Sequence, residues 1–250
     1  MSDPIRYALV GLIVLLTHFQ EGITGFGCTV LALPFIVLLL GLHVAVPVLV
    51  IQAWVLALYI VLESRRQIVW AEFGRIVVLV GLGLPFGIWM AKAVPETGLK
   101  WLLAVFMVTV GAEGLTRTAR PPSPGGTSRR ARWFTSSLLP IGGVVHGAFG
   151  TGGPMVVAYA AKAIPDKSLF RVTLCLLWLS LNTVMIGQWI ASSSLDARTL
   201  AITAFCLPFT LLGMVLGNAA HYRINEVAFR RLVYGVLVAS GVVLVWSLVQ

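Results

Sequence analysis

Gln20-Glu21-Gly22-Ile23-Thr24-Gly25-Phe26-Gly27-Cys28 separates apolar runs at 5–20 and 27–42, and its polar side chains and three glycines interrupt the pattern of both. Inside a membrane such a break is costly. Each N–H or C=O left unpaired in hydrocarbon loses several kcal/mol unless protein buries it or a wet cavity receives it. An interruption of this kind is therefore a site candidate. The pattern returns 125 positions later as Val145-His146-Gly147-Ala148-Phe149-Gly150-Thr151-Gly152-Gly153, with Gly22, Gly25 and Gly27 falling on Gly147, Gly150 and Gly152. The rest of the chain reads as scaffold for these two breaks.

Composition sets the solvent. Of 250 residues, 58% are hydrophobic and 11% charged, against about 25% charged in soluble domains, and the mean hydropathy is +0.95. The partner is a lipid bilayer. The net charge of +9 does not indicate nucleic acid, because the 18 Lys and Arg fall between apolar segments without interleaved stacking aromatics. The amino-terminal run has a weakly charged start and no small-x-small cleavage site, so it is expected to stay in the fold rather than act as a removed signal. Cys28, Cys175 and Cys206 stand singly in apolar segments, which argues against a metal site or a disulfide framework. No H-E-x-x-H, G-x-S-x-G or P-loop pattern occurs. No catalytic residue, cofactor or metal is therefore expected, and the chain is not read as an enzyme.

Charge and turn residues divide the chain into ten apolar segments, at 5–20, 27–42, 44–62, 74–93, 98–116, 133–147, 152–165, 169–191, 198–220 and 227–249. Six reach the roughly 20 residues a helix needs to cross hydrocarbon. The other four form two pairs of short or half-spanning helices, each pair hinged on a break. Lys and Arg accumulate on the cytoplasmic side. If each short pair returns to the side it came from, the loops of one side hold fourteen of these cations and the other side four. If each pair is one long broken span, the split is ten against eight. The hairpin reading gives an all-α integral membrane fold of two inverted-topology repeats, each a broken-helix hairpin plus three transmembrane helices. The amino-terminal repeat covers 1–116, a cytoplasmic linker 117–132 and the carboxy-terminal repeat 133–250. The protein is then a multi-pass inner-membrane protein with both termini periplasmic. Leu84-Pro85-Phe86 answering Leu207-Pro208-Phe209 is a further echo between the halves.

Inverted repeats with discontinuous helices meeting near the midplane are the recurrent build of secondary transporters. The break glycines Gly22, Gly25, Gly27, Gly147, Gly150, Gly152 and Gly153, beside Thr24 and Thr151, can take positive φ and turn successive N–H groups toward one point, which suits an anion. Gly83, Gly87, Gly213 and Gly217 read instead as small residues for close helix packing, so Gly83→Ala is expected to do less harm than Gly25→Val or Gly150→Val, which should abolish binding with little loss of folded protein. Glu21 and His146 occupy equivalent positions one residue before the first glycine of each break and are candidates for proton coupling. Gln20 sits beside Glu21. Gln52 and Asn182 lie in the middle of full spans, where a buried amide needs partners, and both are candidate substrate contacts. Trp54 and Trp178 lie deep enough to wall a pocket, whereas Arg171, near a segment end, reads as an interfacial anchor.

Through Gly25-Phe26-Gly27 with Leu33-Pro34, and through His146-Gly147-Ala148-Phe149-Gly150-Thr151-Gly152-Gly153-Pro154, the sequence resembles the TauE/SafE family over nearly its whole length. The resemblance implies a membrane carrier of two related halves that moves sulfite, sulfoacetate or another small sulfur-containing anion, usually outward. Cys28-Thr29, where relatives are glycine-rich, and Tyr159, at the position answering Pro34, depart from strict symmetry. The expectation is a secondary transporter of a small sulfur anion held between the hairpin tips. A carrier of another small anion, an uptake direction or a passive anion channel are the alternatives, and a homo-oligomer stays open.

Overall fold

The computed structural model describes residues 3–118 and 129–220 and, in the final stretch, 234–235, 238–239, 241–242, 244–246 and 248–249. The first two ranges hold α1 (Asp3–Thr24), α2 (Cys28–Leu40), α3 (Leu42–Ser64) with a 3-10 turn (Arg65–Gln67), α4 (Trp70–Ala93), α5 (Glu96–Thr118), α6 (Arg129–Phe149), α7 (Gly153–Ala163), α8 (Lys167–Ala191) and α9 (Ala197–Ala220). The described residues from 234 onward are helical too, and no strand occurs among the described residues. Among the described residues six helices, α1, α3, α4, α5, α8 and α9, are long and apolar enough to cross a membrane. Val78, Leu82, Phe86 and Trp89 run down one side of α4 at three- and four-residue spacing, exposed as a lipid-facing stripe requires.

Two expected boundaries shift. The first arm of the first pair is not half-spanning. α1 has 22 residues and α6 has 21, about 33 and 31 Å at 1.5 Å per residue. Each continues past its first break glycine because helical bonding persists: Gly25 N–H still reaches the Glu21 carbonyl, and Gly150 N–H the His146 carbonyl, both at 2.7 Å. The second arms are short, with 13 residues in α2 and 11 in α7, and the apolar part of α6, Ser136–Phe149, is short as expected. The expected linker 117–132 also contracts, since α5 continues to Thr118 and α6 starts at Arg129. Residues 119–128 of that linker, and 227–233 of the tenth expected segment, lie outside the described residues.

The contacts fix how the helices run. α1 lies parallel to α9, with Tyr7 against Phe205 at 6.0 Å between ring centroids and, further along, Leu15 and Phe19 against Gly213 and Gly217. α6 lies parallel to α4 in the same way, with Pro140, Val144 and Gly147 against Gly83 and Gly87. The first arm of each break thus packs on a helix of the opposite half. Both seams depend on missing side chains. A Cβ at Gly83 would run into the Pro140 carbonyl, one at Gly147 into the Leu84 carbonyl and one at Gly217 into the Phe19 carbonyl. Between the seams α3 and α8 run antiparallel, joined by the Trp54 Nε1 donor on Thr183 Oγ1 at 2.8 Å.

The two ends of the bundle differ. At one, Leu42, His43, Lys92, Glu96, Gln188 and Ser194 help surround an open vestibule of about 630 Å³. The α1–α2 pair starts and finishes at this end, for Leu42 N–H donates to Glu96 Oε1 at 3.2 Å at the head of α5. At the other end Val69 N–H donates to Thr173 Oγ1 at 3.1 Å, and the buried Tyr159 hydroxyl donates to Glu72 Oε2 at 2.7 Å while accepting from Arg75 Nη1 at 3.0 Å.

Candidate functional site

The two breaks lie side by side. Gly25 takes φ +78° and Gly27 φ +106° in the first, and Gly150 takes φ +67° in the second, conformations in which a side chain is strained. Gly152 does not share this, with φ −92°. Gln20 and Thr24 brace the first break from within. Gln20 Nε2 donates to Thr24 Oγ1 at 2.8 Å and to the Phe26 carbonyl at 2.9 Å, which satisfies the backbone that leaves α1. Cys28 N–H, the first donor of α2, goes to Glu21 Oε2 at 2.7 Å, a carboxyl cap on the positive end of that helix. His146 does the corresponding work in the second half, where its Nδ1 accepts from Gly152 N–H at 3.4 Å. The equivalent positions Glu21 and His146 thus each satisfy a backbone donor at the start of the second arm, Cys28 N–H in one break and, one repeat position earlier, Gly152 N–H in the other.

That bond also places the imidazole proton. A backbone N–H can only donate, so Nδ1 accepts and the proton resides on Nε2, which donates to Asn182 Oδ1 at 3.0 Å. The ring stacks on Trp178 at 5.6 Å and 16°, and Trp178 Nε1 in turn donates to the Gly25 carbonyl at 3.1 Å. One α8 side chain therefore touches both breaks.

Glu21, Gly27, Thr29, Val30, Ala53, His146, Gly150, Thr151, Gly152, Gly153, Trp178 and Asn182 line a cavity of about 20 Å³, room for one or two waters. The Thr151 hydroxyl is buried without a partner. Among the described residues no hydrogen bond engages the N–H of Gly27, Thr151 or Gly153. These three amides and one hydroxyl are the uncommitted donors, as an oxyanion needs. Glu21, 2% exposed, is the one carboxylate among the lining residues.

The remaining candidates from sequence face elsewhere. Gln20 and Thr24 serve the break's own backbone. Gly22 and Gly147 lie in the α1–α9 and α4–α6 seams, where a Cβ on Gly22 would sit 3.0 Å from Gly217 Cα, though Gly147 also borders the vestibule with Ala148. Gly25 packs on Arg171, its added Cβ falling 2.8 Å from Arg171 Cα. Gln52 is spent on α9, donating to the Thr203 carbonyl at 2.6 Å and accepting from Thr210 Oγ1 at 2.7 Å. It is helix-to-helix glue. Thr29, Val30 and Ala53 line the cavity without a signal in the sequence, although Ala53 lies 125 positions before Trp178, the spacing of the repeated breaks.

The profile of the sulfite exporter TauE/SafE family matches residues 10–244. The probable inner membrane transporter protein TsaS of Comamonas testosteroni is 27% identical over 70% of this chain and 72% of its own length. The probable sulfite/organosulfonate exporter TauE of Cupriavidus necator is 23% identical over 96% of this chain and 95% of its own. No solved structure matches significantly.

Proposed function

The chain belongs to the sulfite exporter TauE/SafE family, and from that membership we propose that it is a secondary carrier exporting a small sulfur-containing oxyanion, sulfite or an organosulfonate, through the cavity between the two breaks. The observation that carries the reading is the set of uncommitted donors, Thr151 Oγ1 and the amides of Gly27, Thr151 and Gly153, on residues that line one small cavity at the meeting point of two interrupted helices. About 20 Å³ is too small for a sulfonate head, so α2 and α7 part from the α8 face to admit it. The vestibule, reaching Gly147 and Ala148 next to His146, is the exit. The fourteen-to-four division of cations supports placing that exit, both termini and residue 96 on the periplasmic side, and the exchanged seams support two inverted repeats, 1–116 and 133–250.

A carboxylate in an anion cavity is unfavourable unless something neutralises it. Glu21 takes a proton as the anion arrives, and His146, once protonated, releases Gly152 N–H to the anion and adds a positive charge. Transport is then coupled to protons. Reconstituted vesicles test the proposal: labelled sulfite is expected to exchange against unlabelled sulfite with no net gradient. Conductance without such counterflow would replace the carrier by an anion channel, and neither signal would leave the breaks as packing devices.

A further inference from the structure

Arg171 does not anchor at the interface, as its place near a segment end suggests. It is 6% exposed, its stem lies under the first break against Gly25, and Nη2 donates to Asn218 Oδ1 of α9 at 2.8 Å. Its Nε is buried without a partner, and no carboxylate lies within ion-pair distance of it among the described residues. The nearest negative charge in its network is one step removed, since Asn218 Nδ2 donates to both carboxylate oxygens of Glu63 at 3.2 Å. A buried guanidinium compensated only through a neutral amide is costly. The fold retains it at the start of a stripe: Arg171, Cys175, Trp178 and Asn182 follow at four, three and four residues along α8, one face of the helix. Cys175 and Trp178 contact the Gly25 carbonyl and Asn182 lines the central cavity, so the stripe leads from the end of the bundle opposite the vestibule to the site.

Resting on the carrier reading, we propose that Arg171 forms a second oxyanion site on the entry path. There the planar guanidinium, with a free Nε–H, takes two oxygens of a sulfonate or sulfite head. The anion displaces Asn218 from Nη2 and supplies the charge that Glu63 compensates only at a distance. It then passes along the α8 stripe to the cavity.

The test is equilibrium binding of methanesulfonate to purified full-length protein in detergent, at constant ionic strength, with folding followed by size-exclusion elution and thermal midpoint. Arg171→Lys keeps the charge and loses the fork, and its affinity should fall about tenfold. Asn218→Asp combined with Glu63→Gln moves the carboxylate against Nη2 while keeping a donor and an acceptor between positions 63 and 218, and should raise the thermal midpoint of the unliganded protein while weakening methanesulfonate binding at least tenfold. Opposite signs in stability and affinity are what a merely structural arginine cannot produce. Wild-type affinity in both variants overturns the Arg171 site and leaves the central cavity standing. A wild type that binds no methanesulfonate, sulfite or sulfate overturns the oxyanion carrier and this site with it.

Discussion

At Gly153 an added methyl would meet Phe26 and Val30 at 3.7 and 3.9 Å, ordinary contact distances, inside the cavity wall. Gly153→Ala should therefore fold as wild type yet weaken methanesulfonate binding about tenfold by filling space the anion needs, a pairing read from thermal midpoint and dissociation constant together. Gly25→Val and Gly150→Val no longer isolate the site, because a Cβ there also collides with Arg171 or Val50. At His146 the acceptor role of Nδ1 gives the sign of a pH effect: protonation frees Gly152 N–H and adds charge, so affinity should rise on acidification. His146→Gln should lose most of that dependence. A sulfonate of fixed charge is the proper probe. Equal slopes in the two proteins would remove His146 from coupling and leave Glu21. Glu21 is the one other charged or titratable residue that lines the cavity with this ring. Residue by residue, Glu21, His146, Thr151 and Asn182 were legible because polar groups are scarce in hydrocarbon. Gln52 was scarce in the same way and turned out to be bonded to α9, since scarcity does not tell which way a side chain faces. Arg171 was misread for the complementary reason: nearness to a segment end says nothing about rotation about the axis, and the 171/175/178/182 stripe was the signal that could have found it.

Among the elements, the breaks themselves were plain in the sequence, as glycines at two- and three-residue spacing cannot continue a buried helix unnoticed. Their edges were not. α1 and α6 run further than the apolar pattern because Gln20, Thr24 and His146 supply bonds that a count of hydrophobic residues ignores. The seam glycines also change their weight. Gly83→Ala drives a methyl into the Pro140 carbonyl, so it should cost several kcal/mol of stability, as overpacking against rigid backbone does, and appear as a large loss of folded protein, whereas Gly74→Ala, with open space around it, should be silent. Yields of folded protein for the two variants decide this. The direction of the hairpins is open to single-cysteine labelling. Positions 66 and 96 should label from opposite sides of the membrane, and labelling from the same side would sink both the hairpin reading and the inversion built on it.

For the whole molecule, what the sequence could not disclose was partnership. Periodicity finds a glycine face but not the helix that meets it, and here the partners are far apart along the chain: α1 waits for α9, and α4 meets α6 across the stretch between the halves. This arrangement has a consequence for birth of the protein. α1 leaves the ribosome nearly 200 residues before the helix that covers Gly22, and until then His18, Gln20 and Glu21, all buried in the finished fold, must be sheltered by insertion machinery or by the neighbouring α2 and α3. Neither half can bury its own first arm. Residues 1–118 and 129–250 made as separate polypeptides should each be degraded when expressed alone and should restore anion counterflow when expressed together, since the seam each requires is carried by the other.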